Sequence, residues 1–512
     1  MDNQKLSKEL FVPTDRSERL ADKKLSTKPV GYFKDAWLRF RKNRSSVFAA
    51  VIILLLFLYA IIAPMVSDYK VSDRDGYYKM VLPKSKLFGW LGWDGCKTLS
   101  TNQAGYDYYK AIGTEYDNPA VRKVKKRSVD ANTNAPVYKI YLDSYTKVGF
   151  VYADLTAEEY EALKNYQNET NIQVIYPMPA NYKTDFVAVS NGANLWYELA
   201  DESETTSGAA KEHDANGDPI YKANYLKKAK KNSAQYDSIR LPLEGDGENE
   251  QWYAYAVKNQ TGYHVRVLYK EYYRYLNGHE AYYLFGSNQH GQDIFVCLAS
   301  GARLSFLLAI FVSVLNFLIG IVYGSVEGYY GGVADMIMER ISDVINSIPF
   351  IIVATLFQMY LARKVGPFVA LLFAFVLTGW LGIAYTVRVQ FYRFKNSEYV
   401  LAARTLGASD RRLIFRHVFP NALGTIITST VLIIPGVIFS ESMLTYLGIV
   451  NLETSGITSV GTMLSHGQTY MSTYPHILFF PALFISLLEI AFNLFGNGLR
   501  DAFNPSLRGV DE

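Results

Sequence analysis

Long apolar runs alternate with strongly polar stretches along this chain. The runs fall at 47–65, 304–326, 348–361, 369–387, 425–439 with its continuation to 447, and 477–495. Most reach the roughly 20 residues that a helix needs to cross about 30 Å of hydrocarbon. The third is short and must borrow from the amphipathic stretch 336–347. The pattern therefore predicts six membrane-crossing helices. Averages conceal it: over 512 residues, 49% hydrophobic and 20% charged, the mean hydropathy is +0.00, a value that suits a soluble chain.

Between the fourth and fifth runs, residues 398–421 form a basic stretch whose punctuation predicts two short helices. Ser397 and Ser409 stand where N-caps belong, Gly407 fits a C′ reversal, and Pro420 is expected to stop the second helix. Ala402 and Ala403 leave one side of the first helix nearly bare, open to close approach by another protein. On the second, Leu413, Ile414 and Val418 offer apolar contact, while Arg411, Arg412, Arg416 and His417 give a basic face. The stretch looks like a coupling loop. The alternative is an ordinary amphipathic surface loop.

Orientation follows from the basic residues beside the runs and not from the net charge of +4. Lys34, Arg39, Arg41, Lys42 and Arg44 crowd the entrance to the first run, so the N-terminus is expected in the cytoplasm. Six crossings return the C-terminus there and turn the 398–421 loop inward, in agreement with Arg388, Arg393 and Lys395. The first run does not read as a cleaved signal, because Ile61-Ile-Ala-Pro64 carries no small-residue cleavage site and about 45 polar residues precede it.

The polar stretch between the first two runs, about 210 residues, is large enough to be a domain and falls outside the cell in this topology. It reads as α+β. Segments 137–142, 148–152 and 172–176 read as strands, and Thr156 with Glu159 forms a capping box opening a helix through Tyr166. Segments 252–257 and 263–269 flank a turn at 258–262, a hairpin signature. Segments 201–210 and 214–219 read as loops. The expected division is 1–45, a cytoplasmic segment; 46–66, the first span; 67–283, the inserted α+β extracellular domain; 284–502, the other five spans with the coupling loop at 391–421; and 503–512, a cytoplasmic tail. The fold class is an all-α polytopic membrane protein carrying that insert.

Composition adds little chemistry. Many of the 40 Tyr lie in the insert, where packing of half-buried strands is favoured over a ligand surface. Asp214-x-Asn216-x-Asp218 resembles the start of a calcium loop, but Pro219 and Tyr225 occupy positions that need Gly and Glu. Cys96 and Cys297 read as free thiols, with a disulfide the alternative. No Cys/His zinc spacing, H-E-x-x-H, G-x-S-x-G or G-x-x-x-x-G-K-[ST] occurs in the sequence, so no catalytic residue, metal site or phosphate-cradling loop is expected.

Several colinear stretches resemble one family. They are Ala36-Trp-Leu-Arg-Phe-Arg-Lys-Asn-Arg44 with Ile-Ile-Ala-Pro64, Leu284-Phe-Gly-Ser-Asn-Gln-His-Gly-Gln-Asp293 with Gly301-Ala-Arg-Leu-Ser305, and Gly328-Tyr-Tyr-Gly-Gly332 with Asp343-Val-Ile-Asn-Ser-Ile-Pro349. Further along come Ala402-Ala-x-x-x-Gly407 through His417-x-x-Pro420-Asn421, Glu441-Ser-Met-Leu-Thr-Tyr-Leu-Gly448 and Phe492-Asn-Leu-Phe-Gly-Asn-Gly-Leu-Arg-Asp501. Together, over about 300 residues, the chain resembles the OppC/DppC-type permease subunits of peptide/nickel ABC importers. Leu401, Gln292 and Val460 depart from the family pattern, and the insert departs most.

The resemblance implies the type I importer permease fold, one half of a peptide pathway, and coupling to separate ATPases. Its implied coupling residues are Glu398, Ala402, Ala403, Arg404, Gly407, Arg411, Arg416, His417, Pro420 and Asn421. Implied partners are a second related permease, two ATP-binding subunits carrying ATP and magnesium, an extracytoplasmic peptide-binding protein and the lipid bilayer; no nucleic acid and no cofactor on this chain are expected. Glu441 reads as a gate or a structural hydrogen bond. Glu489 reads as a pathway group, a partner contact or a headgroup neighbour, and Asn493 and Asn497 as interhelical hydrogen bonders. Dipeptides or nickel chelates are the alternative cargo, and a membrane-anchored ligand sensor the remote alternative. The size of the insert suggests a Gram-positive plasma membrane.

Overall fold

The apolar runs lie in helices that extend beyond them. In the computed structural model, which describes residues 32–113, 118–131, 134–181, 193–194, 214–218, 241–242, 251–258, 260–453 and 458–503, five helices are long and apolar enough to cross a membrane. They are the first span, Arg44–Val66; the second, Ile294–Tyr330; the fourth, Pro367–Phe394; the fifth, Asp410–Tyr446; and the sixth, His476–Phe503. The expected six are reached only if the pair Gly332–Asn346 and Phe350–Val365, bent by 69°, is counted as one crossing, numbered here as the third. The break has a local cause: Pro349 caps the second piece, has no N–H to donate to a helix running through it, and biases Ile348 away from helical angles.

The second span is the centre of the bundle, packed against the first, fourth and fifth. A shared core joins Ala60, Phe306, Val353, Leu371, Val437 and Phe484 from all six. Contact with the fourth span is close because glycines recur on one face of the second. A Cβ on Gly324 would lie 2.2 Å from the Ala384 carbonyl oxygen, and one on Gly320 would lie 2.7 Å from Ile383 Cβ. Small residues let helix backbones approach where lipid offers no hydrophobic drive. Gly324→Val should cost about 3 kcal/mol by overpacking. The check is thermal unfolding of the solubilised chain, where Leu318→Val, on the open face, should leave the midpoint nearly unchanged.

The insert contains ten strands among the described residues: β1 Cys96–Asn102, β2 Val121–Val129, β3 Pro136–Asp143, β4 Phe150–Leu155, β5 Ile175–Tyr176, β6 Met178–Asn181, β7 Leu241–Pro242, β8 Gln251–Ala254, β9 Ala256–Lys258 and β10 Tyr263–Leu268. They form three sheets, ordered β1-β3-β2, β4-β10-β5 with β9 on β10, and β6-β8-β7. The hairpin is present as β9 and β10, with Tyr263 opposite Lys258. The expected strand at 252–257 is split at Tyr255 between two sheets, and that at 172–176 shortens to β5. The capping box is complete: Glu159 N donates to Thr156 Oγ1 at 3.2 Å and Thr156 N to Glu159 Oε2 at 2.9 Å. Its helix, Ala157–Thr170, runs past Tyr166.

Tyrosines build the core of the insert. Tyr78, Tyr145, Tyr160, Tyr255, Tyr269, Tyr273 and Tyr283 share one buried cluster, and Tyr106 stacks on Tyr138 at 4.2 Å in another. Residues 201–210 and Tyr225 lie outside the described residues. Asp218 Oδ1 accepts from Tyr106 Oη at 2.6 Å and Arg127 Nη2 at 2.7 Å, so protein donors meet this carboxylate. Both thiols are free, Cys96 on β1 and Cys297 buried in the second span.

Candidate functional site

Residues 398–421 sit at the end of the bundle opposite the insert. The first short helix, Glu398–Thr405, ends in a Schellman reversal: Gly407 N donates to the Arg404 carbonyl at 3.0 Å and Ala408 N to that of Ala403 at 3.1 Å. Gly407 has φ +81°, a conformation that side-chain-bearing residues rarely adopt, and open space where a Cβ would be. Ser397 and Ser409 hold the N-cap positions, but neither side chain caps. Ser397 Oγ donates back to the Phe394 carbonyl at 2.6 Å instead.

Pro420 does not stop the second helix, contrary to the sequence reading. Asp410 to Arg412 opens an α-turn, 413–418 is π-helical, and α-helix resumes at Phe419 with Pro420 in its first turn. There its missing N–H costs least, and the wide turn just before it absorbs the ring. Asn421 Nδ2 covers the His417 carbonyl at 2.8 Å. The second short helix and the fifth span are thus one helix, Asp410–Tyr446.

One face of this stretch is anchored. Val400, Leu413, Ile414 and Val418 are buried in a cluster with Tyr329 of the second span and Ile383, Val387 and Phe391 of the fourth. Tyr329 Oη donates to Asp410 Oδ1 at 2.5 Å, and Lys395 Nζ to the Gly328 carbonyl at 2.9 Å. The other face is open. Glu398, Ala402, Arg404, Gly407, Arg411, Arg416, Pro420 and Asn421 are exposed, as are the apolar Tyr399, Leu401, Leu406 and Phe415. Ala403 is half-buried against the chain's own core, not bare, and His417 is half-buried. Arg404 lies 6.0 Å from the Tyr329 ring centre, so it already has an internal contact.

Behind the loop is a charge cluster that the sequence did not reveal. Arg388 on the fourth span donates to Asp335 through Nε at 2.6 Å and Nη2 at 3.0 Å, and to Glu339 through Nη1 at 2.9 Å and Nη2 at 3.0 Å. Glu327 lies 3.5 Å from the same guanidinium. Such bidentate pairing uses the planar fork that Arg alone supplies. The only sequence signal was a basic residue about three helical turns before the loop and acids in and beside the amphipathic stretch, and their pairing depends on the fold. A cleft of about 280 Å³ opens beside it, lined by Glu327, Glu339, Asp343, Tyr385 and Arg388.

The in-span residues separate into different environments. Glu441 is buried and accepts from Ser305 Oγ on the second span at 2.8 Å. Its Oε1 and that of Glu489 have no hydrogen-bond partner among the described residues. Asn493 donates to the Glu489 carbonyl at 3.0 Å, within its own helix, and does not bridge helices as expected. Glu489, Asn493 and Asn497 recur every fourth residue, a polar stripe left half-buried to exposed on the sixth span.

These features define a multi-pass membrane protein with a loop at one end, packed on one face and exposed on the other, and a folded insert at the opposite end. Two family models match the chain: a binding-protein-dependent transport system inner membrane component over residues 316–509, and the N-terminal TM domain of oligopeptide transport permease C over residues 31–83. The oligopeptide transport system permease protein OppC of Bacillus subtilis is 42% identical, aligned over 44% of this chain and 72% of its own length. The dipeptide transport system permease protein DppC of the same organism is 40% identical over 44% and 69%, and the OppC of Haemophilus influenzae 38% over 45% and 72%. The chain belongs to the OppC/DppC-type permease family of ABC importers.

Proposed function

We propose that this chain is a permease subunit of an ATP-driven peptide importer and forms half of the translocation pathway. The observation that carries the coupling role is the two-sided loop at 398–421: one face is locked into the second, fourth and fifth spans, and the other presents exposed arginines beside Tyr399, Leu401, Leu406 and Phe415. A partner docked on the open face would move three spans at once. ATP and magnesium are assigned to two separate ATPase chains, since this sequence has no phosphate-cradling loop.

The basic residues around the first span and the loop support a topology with both termini and the loop in the cytoplasm and the insert outside, where a Gram-positive envelope would house it. An extracytoplasmic peptide-binding protein delivers cargo, and a second related permease completes the pathway. The Glu489, Asn493 and Asn497 stripe supports that pairing, because charged and amide groups on a span are costly against lipid and belong against a pathway or a partner helix. Oligopeptides are favoured over nickel chelates because the relatives named above are peptide permeases.

The test is uptake of labelled di-, tetra- and hexapeptides in cells lacking this chain and in cells given it back. ATP-dependent peptide uptake that disappears and returns with the chain is expected. Uptake indifferent to the chain at every length would overturn the proposal.

A further inference from the structure

At the insert end of the bundle, three ligating side chains from separate segments converge. His290 lies on the segment leading into the second span, Glu453 follows the fifth, and His466 lies on the short helix Val460–Thr469 between the fifth and sixth. Their ligand atoms all lie within 4.8 Å of one another, and His466 Nδ1 is 3.6 Å from Glu453 Oε1. Ligands about 2.1 Å from a tetrahedral zinc stand about 3.4 Å apart, so one edge of such a site is nearly formed and the other ligand atoms lie within 4.8 Å.

A further observation points to a ligand. Gln289 Nε2 is 2.7 Å from His466 Nδ1, while Gln289 Oε1 is buried with no hydrogen-bond partner among the described residues. An ion taking the His466 Nδ1 lone pair would displace this donor, and turning the amide over would then exchange its two atoms and bring an oxygen to the ion's side. The side chains of Glu453 and His466 are 39% and 35% exposed, which leaves an entry path for an ion.

We propose that His290, Glu453 and His466 form a binding site for a divalent transition metal of the zinc class, with Gln289 beside it. Two imidazoles and one carboxylate suit a borderline metal better than calcium or magnesium, which take oxygen ligands. The ion would clasp the lead-in to the second span, the exit of the fifth and the short helix before the sixth. Local spacing could not show this, because the three residues lie on segments separated by whole spans or by a loop.

The experiment is calorimetric titration of zinc chloride into the full-length chain, purified in detergent without a polyhistidine tag. One saturable equivalent is expected, with affinity reduced more than tenfold in His290→Ala, in His466→Ala and in the isosteric Glu453→Gln. His264→Ala, on β10 beside Asp154, should bind as the parent does. Melting temperatures measured without metal identify any variant that is simply misfolded, and Glu453→Gln keeps the question answerable in that event. No saturable binding, or unchanged affinity in folded variants of the three positions, would overturn the site.

Discussion

Gly407→Pro should reduce ATP-dependent peptide uptake at least tenfold, with the ATPases either uncoupled or lost from the purified complex. Proline holds φ near about −65° and has no N–H, whereas Gly407 sits at φ +81° and donates to Arg404. The reversal that turns the chain from the first short helix into the second cannot form with that ring. Gly407→Ala separates this cause from bulk. Nothing lies within 4 Å of its Cβ position, so alanine meets only the left-handed strain of about 1 kcal/mol and should retain most uptake. Equal losses in both variants would mean that the exposed surface at 407, and not the backbone reversal, is what coupling requires.

Arg388→Ala should be the most destabilising single truncation at this end of the bundle, by about 3 kcal/mol or more. It would strand Glu327 and Asp335, whose side chains are 4% and 13% exposed, without the guanidinium that faces them. Arg388→Lys should recover little, because a point-like ammonium cannot make two bidentate contacts. Glu339→Gln should cost under about 1 kcal/mol, since Glu339 is 47% exposed and water can replace the pairing. Thermal unfolding of the solubilised protein ranks the three. A midpoint for Arg388→Ala no lower than that of Glu339→Gln would show that the cluster contributes little to holding the third span against the fourth.

What could be read beforehand divides by the range of the cause. Span positions were legible because each answers to one requirement, enough apolar residues to cross hydrocarbon, whereas helix lengths were not: the run at 304–326 lies in the 37-residue helix Ile294–Tyr330. The reversal at Gly407 and the capping box at Thr156 were legible because their partners lie within a few residues. Pro420 was misread for the same reason: its usual local meaning is a helix stop, and a π-helical stretch beginning at Leu413 overrode it. The strand at 252–257 was split because β8 pairs with β6 and β7, partners far along the chain. Arg388 was read only as a mark of orientation, and its pairing escaped notice since Asp335 and Glu339 reach it only after the third span folds back on the fourth. Ala403 looked bare in sequence and is half-covered by the chain's own core, a distinction that needs the packing of Leu413 and Val400.

The run from Asp410 to Tyr446 is one rod without an intervening loop. At about 1.5 Å per residue, 37 residues make a rod of about 55 Å, longer than the hydrocarbon is thick. Its foot carries Arg411 and Arg416, its shaft holds Glu441 against Ser305, and its far tip leads to Glu453. With the wide turn at 413–418 and the junction at Leu432 as soft points, the rod is shaped as a lever: a push on the foot would reach the opposite rim as a tilt, with no loop in between to absorb the stroke.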